Sequence, residues 1–262
     1  MAIETVLVTG ASSGIGRELA KAFAADGCRL VLVARKRRAL QELAEELRQC
    51  HKTHSEVLTA DLAQPSSPIR IFEHLQARGT RVDVLINNAG FGAHGQFAEL
   101  PLERQLDMIQ VNITSLAQLT HLMVSGMVER RRGGILNVAS TAAFQPGPCM
   151  AVYYATKAFV LSFSEAIAEE IAGTGVTVTA LCPGPTATNF AEVAGARFSR
   201  RFLRRAMSAR DVARIGHRAF RARQVVAITG VRNQLLTLSV RLGPRAMVRK
   251  IVKVLNASTY KS

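Results

Sequence analysis

Seven short runs rich in Val, Leu and Ile recur along the chain, most of them followed by a longer stretch with helical periodicity, and this alternation leaves few folds open. The strand candidates are 5–9, 29–34, 56–60, 82–86, 135–139, 176–181 and 225–229, with helical patterns over 16–26, 36–50, 69–77, 102–130, 154–172 and 209–222. Nearly continuous apolar strands suit parallel strands covered on both faces. The βαβα rhythm predicts an α/β, doubly wound fold: a seven-stranded parallel sheet with helices on both sides. With 262 residues, 48% of them hydrophobic, the chain can bury one large core, which excludes wholesale disorder. No repeat or linker divides it. The reading is one domain over 1–230 and a C-terminal helical extension over 231–262.

Four scattered cysteines without a CxxC pair argue against a disulfide framework and a structural zinc site, and no His spacing suggests a metal. The opening residues run straight into an apolar strand, so no signal peptide and a cytoplasmic location are expected. The uncharged stretch 108–128 is interrupted by polar side chains and reads as a buried helix, not a membrane span. The net charge of +15 is uneven: residues 1–195 hold 17 basic and 18 acidic side chains, whereas 196–262 hold 17 basic ones and only Asp211. A neutral body with a basic tail does not suit a nucleic-acid binder and gives the tail its own role.

The first strand candidate ends in Gly10-Ala11-Ser12-Ser13-Gly14-Ile15-Gly16. Gly10 permits a sharp turn, Gly14 lets a pyrophosphate approach the backbone, and Gly16 allows close helix–strand packing. Free N–H groups at the following helix start favour a phosphate. An ordinary tight strand–helix turn has the same ingredients. After the second strand stands Arg35, then Lys36, Arg37 and Arg38, with Arg17 beyond the glycine turn. A carboxylate there would bind a ribose hydroxyl; guanidinium groups suit a 2′-phosphate, so NADP(H) is preferred over NAD(H). Asp61-Leu62 follows the third strand, where the carboxylate either accepts from an adenine amino group or caps the next helix. Asn88-Ala89-Gly90 ends the fourth strand, where parallel sheets bind ligands.

Tyr153 and Lys157 are four apart at the start of a helical pattern and share a face. A neighbouring ammonium lowers a phenol pKa and makes a usable proton donor and acceptor. Ser140 lies just beyond the fifth strand, where its hydroxyl can hold a carbonyl oxygen. An isolated Tyr-x-x-x-Lys is otherwise an ordinary packed pair. Taken together, residues 9–16, 87–90, Asn112, Ser140, Tyr153, Lys157 and Pro183-Gly184 resemble, in order and spacing, the classical short-chain dehydrogenases/reductases. The text around 140–148 and 153–164 is similar to bacterial ketoacyl and hydroxysteroid reductases.

The resemblance implies a Rossmann fold and a set of roles. Tyr153 protonates the substrate carbonyl, Lys157 lowers its pKa and binds the nicotinamide ribose, Ser140 orients the carbonyl, and Asn112 positions a water leading to Lys157. Pro183, Gly184, Thr186 and Thr188 bind the nicotinamide carboxamide. A substrate lid is expected over about 186–209. Phe144, Met150 and Phe190, with Phe91 and Phe97, suggest a hydrophobic ketone or alcohol, acyl-like or steroid-like. Tyr154 points about 100° away around the helix and does not share Tyr153's place. The family implies a homodimer or homotetramer through 102–130 and 154–172.

In the tail, Met247, Ile251 and Val254 fall on one helix face, and Arg245, Arg249 and Lys253 on another, with Gly243-Pro244 separating two helices. Three roles are open to it, in this order: packing on the body or a second subunit, peripheral contact with an anionic membrane, and nucleic acid, which no motif supports. The function that follows is reversible, NADP(H)-dependent carbonyl/alcohol hydride transfer. The alternative is a non-catalytic NADP(H)-binding or membrane-surface regulatory protein of the same fold.

Overall fold

The computed structural model describes residues 3–196 and 206–257. In chain order it contains β1 (Thr5–Thr9), α1 (Gly14–Ala25), β2 (Arg29–Ala34), α2 (Arg37–His51), β3 (Ser55–Thr59), α3 (Ser67–Ala77), β4 (Val84–Asn87) and α4 (Leu102–Ile109). A π-helical turn, Gln110–Thr114, leads to α5 (Ser115–Glu129), β5 (Gly133–Val138), a 3-10 turn (Thr141–Phe144), α6 (Ala151–Glu170) and β6 (Val176–Cys182). Then come β7 (Thr186–Ala187), α7 (Phe190–Ala194), β8 (Met207–Ser208), α8 (Ala209–Arg221), β9 (Val226–Ile228), α9 (Val231–Leu242) and α10 (Arg245–Ala257).

Seven strands form one parallel sheet in the order β3-β2-β1-β4-β5-β6-β9. Alternate side chains divide between its faces. Val6, Val8, Leu30 and Leu32 pack with Phe23 of α1, Leu43 of α2 and Phe220 of α8. Leu7, Val31, Leu85 and Ile135 pack with Leu75 of α3 and Leu119 and Met123 of α5. The strand order reverses between β1 and β4, and such a switch point opens a crevice at the carboxyl ends of the strands. At the opposite end of the sheet, Arg221 of α8 reaches Glu4 at 2.7 Å and Asp26 at 2.8 Å, and its guanidinium lies 4.9 Å from the Phe23 ring.

The helix expected over 102–130 runs through as α4 and α5, joined without interruption by the π turn, which inserts an extra residue into the hydrogen-bond ladder at Asn112. The helix bearing Tyr153 begins at Ala151, so Tyr153 sits in its first turn.

The tail is two helices split at Gly243-Pro244, and it packs on the body. The packed face differs from the one the spacing grouped. Val248 and Val252 of α10 are buried, whereas Met247, Ile251 and Val254 are about half exposed or more. No helix among the described residues is long and apolar enough to cross a membrane.

Candidate active site

A cleft of roughly 1730 Å³ opens at the carboxyl ends of the strands. That exceeds a typical small-molecule pocket of about 300–1,000 Å³, leaving room for a dinucleotide and a second molecule. Gly10, Ser12, Ser13, Gly14 and Ile15 line one end. Gly10 and Gly14 hold φ of +65° and +55°, a left-handed conformation that suits glycine. A Cβ on Gly10 would stand 2.8 Å from the Asn88 amide nitrogen. Asn88 braces the turn: Nδ2 donates to the carbonyls of Thr9 (2.9 Å) and Gly10 (3.3 Å). Gly16 lies below the turn and off the cleft wall, where it permits the packing of α1 on Asn88. Among the described residues, no side chain caps the N-terminus of α1. Its first N–H groups face the cleft with the positive end of the helix dipole, which fits a pyrophosphate.

Arg35 follows β2 and lines the cleft with Lys36. Arg38 does not: it lies on the outer face of α2, strongly exposed, and pairs with Glu42 at 3.0 Å. Arg17 is likewise turned away, pairing with Glu46 at 2.7 Å. The cause is geometric. Arg35 and Lys36 precede the helix, at the carboxyl end of β2, while Arg38 rotates outward with the first turn of α2. Asp61 and Leu62 line the cleft, and the Asp61 carboxylate accepts from the Ala63 N–H at 3.0 Å, so it caps a turn there. Ala89 and Gly90 also line it; a Cβ on Gly90 would come within 3.5 Å of Lys157 Nζ.

Ser140, Tyr153 and Lys157 meet at the cleft floor. Burial pushes the Tyr153 phenol up to about 12, opposed by its hydrogen bond with Ser140. Burial pulls the Lys157 ammonium down to about 8. Net, the phenol lies above its ordinary value, because burial outweighs the other influences on it. Lys157 Nζ donates to the Val138 carbonyl at 2.7 Å and stands 5.9 Å from the Tyr153 ring centre, and burial dominates both groups. Asn112 braces the β4 exit against α6: its amide donates to Phe91 O and Thr156 Oγ1, both at 3.0 Å, and accepts from Phe91 N at 3.1 Å. Its Oδ1 and Lys157 Nζ both border Gly90, 2.9 and 3.5 Å from where a Cβ would stand there. Tyr154 packs over Gly147 and points its hydroxyl at Asn256.

Pro183, Gly184, Thr186 and Thr188 line the cleft beyond β6. Thr188 closes against the glycine turn, 3.2 Å from where a Cβ on Gly14 would stand. Phe190 lies 5.1 Å from the Tyr153 ring, and with Met150 it packs over Gly92. Phe144 is not part of this wall. It packs against the cluster of Leu116, Val160 and Ala180, with the Arg241 guanidinium 5.8 Å from its ring. Phe97 is largely exposed and away from the cleft. Of the expected lid, 197–205 lies outside the described residues.

The sequence reading missed the opposite wall, which the tail supplies: Asn233 and Leu236 of α9, and Met247, Ile251, Leu255 and Asn256 of α10. The Met247–Ile251 spacing marked an amphipathic helix without saying what it faces. Asn256 tethers this wall, donating to Pro148 O at 2.8 Å while its own carbonyl meets His94 Nε2 at 3.1 Å.

Residues 4–197 match the family model described as short chain dehydrogenase. The chain therefore belongs to the short-chain dehydrogenase family, built on the dinucleotide-binding Rossmann fold. The very-long-chain 3-oxoacyl-CoA reductase of Anas platyrhynchos is 32% identical over 200 residues, 74% of this chain and 63% of that protein, so the match spans less than two thirds of the relative's length. A short-chain dehydrogenase from Sphingobium yanoikuyae in complex with NADPH is 34% identical, with a TM-score of 0.82 over 94% of this chain and 97% of that one. A short-chain dehydrogenase/reductase from Burkholderia phymatum in complex with NAD is 27% identical, with a TM-score of 0.80 over 92% of each. The shared property is nucleotide binding; both forms of the dinucleotide occur among these relatives.

Proposed function

We propose that the protein is an NADP(H)-dependent oxidoreductase that interconverts a hydrophobic ketone and its alcohol. The observation that carries this reading is the meeting of Ser140, Tyr153 and Lys157 on the floor of a cleft whose other end is a glycine cradle. The bound dinucleotide would exchange a hydride with the carbonyl carbon. Tyr153 gives the carbonyl oxygen its proton, and takes it back in the reverse direction. Ser140 holds that oxygen, and the Lys157 ammonium favours the phenolate that reduction leaves behind. Arg35 and Lys36 pair with a 2′-phosphate, which selects NADP(H). The α1 N-terminus takes the pyrophosphate, while Asp61, Leu62, Asn88–Gly90 and the 183–188 loop hold the remaining parts.

The substrate side is apolar: Met150 and Phe190 on one wall, Leu236, Ile251 and Leu255 on the other. This supports a lipid-like carbonyl compound, in keeping with the 3-oxoacyl-CoA relative. Leu102, Leu106 and Ile109 form an exposed stripe on α4, with Phe159 exposed on α6, and support a homo-oligomer through these helices. Four free cysteines fit a reducing, cytoplasmic compartment. The basic tail supports peripheral membrane contact.

The test is NADPH oxidation across a panel from short ketones through β-ketoacyl thioesters to ketosteroids, with NADH alongside. Turnover that grows with chain length or ring size and prefers NADPH is expected. Tight NADPH binding without turnover on any member would favour a binding protein instead.

A further inference from the structure

Val231, Leu235, Leu238 and Leu242 of α9 are spaced four, three and four apart, which places them in one line along the helix. They are 71, 63, 55 and 81% exposed. The other side of the helix does the packing: Thr237 is buried, and Asn233, Leu236 and Val240 line the cleft, whose rim Val231 and Arg232 also reach at the start of the helix, while Leu235, Leu238 and Leu242 stand off it. Arg232 and Arg241 flank the apolar line, each about a quarter turn away. All six charged residues of α9 and α10 are basic: Arg232, Arg241, Arg245, Arg249, Lys250 and Lys253. A second copy of the chain, paired face to face, would bring these charges against their own kind. A nucleic acid would leave four aliphatic side chains without partners. An anionic bilayer satisfies both, taking the aliphatic side chains into the acyl boundary and the cations among the headgroups.

We propose that this line on α9 docks the protein on an anionic lipid bilayer, so that the cleft wall formed by Leu236, Ile251 and Leu255 opens beside the membrane. The inference deepens the membrane contact proposed above by naming its face and its lipid chemistry. It also assigns the contact to α9, where Leu235, Leu238 and Leu242 lie off the cleft, and not to the Met247–Ile251–Val254 face of α10, where Met247 and Ile251 line it.

The experiment is flotation of the full chain with vesicles of phosphatidylcholine alone or of equimolar phosphatidylcholine and phosphatidylserine. The parent protein is expected to float with the anionic vesicles and not with the neutral ones. The double variant Leu235→Glu/Leu238→Glu changes positions outside the cleft. It should lose anionic-vesicle binding by about tenfold or more while reducing a short water-soluble ketone at the parent rate. Absence of parent binding, or equal binding to both vesicles, would overturn the proposal. So would unchanged binding of the variant, or a variant that changes only oligomeric state. Should the variant not fold, raising the salt concentration must still release the parent from anionic vesicles, and retention at high salt would contradict docking. Because the soluble-ketone assay uses no vesicles, failure of the reductase reading is scored separately.

Discussion

Lys157 donates its Nζ to the carbonyl oxygen of Val138 at 2.7 Å, tying the buried cation of α6 to the end of the central strand β5. This bond fixes the ammonium below the cleft floor, with its charge partly satisfied by a backbone dipole. Burial then moves the two members of the Tyr153–Lys157 pair in opposite directions, the phenol up to about 12 and the ammonium down to about 8. In the proposed mechanism reduction uses the protonated phenol, which is the populated form at neutral pH, and oxidation uses the phenolate. Alcohol oxidation is therefore expected to rise steeply between about pH 7 and 10, while ketone reduction stays level to near pH 8. A pH–rate profile in both directions checks this, and a flat oxidation profile would contradict it.

The same displacement makes a stability prediction. Lys157 has a pKa of about 8 in the folded protein, below its ordinary 10.5. Between these values the unfolded chain binds more protons than the folded one, so this residue's contribution to stability rises with pH across that window. Below about 8 the cost of burying the charge is fully present. In Lys157→Met that dependence is gone. The Tm of the variant relative to the parent should therefore be highest near pH 7 and decline toward pH 10. Thermal melts across this range test it, and a constant difference would sink the argument.

Arg35 and Lys36 follow β2 into the cleft, and Arg38 does not. If Arg35 holds the 2′-phosphate as proposed, Arg35→Asp removes a charge-assisted contact of about 1.5–3 kcal/mol and adds repulsion. NADPH affinity should fall roughly 10- to 100-fold, with NADH affinity little changed. Arg38→Ala should leave both near the parent value. Fluorescence titration with the two dinucleotides decides between Arg35 and its neighbours.

Asn256 holds the far wall of the cleft through Pro148 and Tyr154. Asn256→Ala removes the side-chain donor and acceptor, and a loss of about 1–2 kcal/mol of stability is expected from the two contacts. KM for a hydrophobic ketone should rise more than kcat falls, because α10 shapes the substrate wall without touching the reacting atoms. Denaturant melts and steady-state kinetics measure the two effects; a kcat loss with unchanged KM would assign Asn256 a different role.

The parts of this fold that depend on local pattern were readable in advance. β1, the glycine turn and the start of α1 follow from one continuous segment, and Tyr153 and Lys157 share a face because four residues nearly complete a helical turn. What escaped depends on neighbours distant in sequence. Phe144 lies in the right stretch, but the 3-10 turn directs its ring toward Val160 and Ala180 instead of the cleft. The π turn at Gln110–Thr114 leaves the hydrophobic periodicity almost unchanged, so the helix was legible and the bulge at Asn112 within it was not. Among the basic residues after β2, the distinction between Arg35 and Arg38 rests on where α2 begins, a matter of one or two positions. In α10, Val248 and Val252 pack where Met247 and Ile251 were grouped. A one-position rotation of an amphipathic helix is decided by the surface it meets.

The proposed function stands on the Tyr153 phenol as the proton donor and acceptor of a hydride-transfer enzyme. Tyr153→Phe keeps the ring that packs against Phe190 and removes only the hydroxyl. The most direct measurement is turnover of the best ketone substrate by this variant, paired with its NADPH affinity. The expected result is a loss of about 10²–10⁴ in kcat with NADPH binding within a few-fold of the parent. Turnover at the parent rate would contradict the assignment.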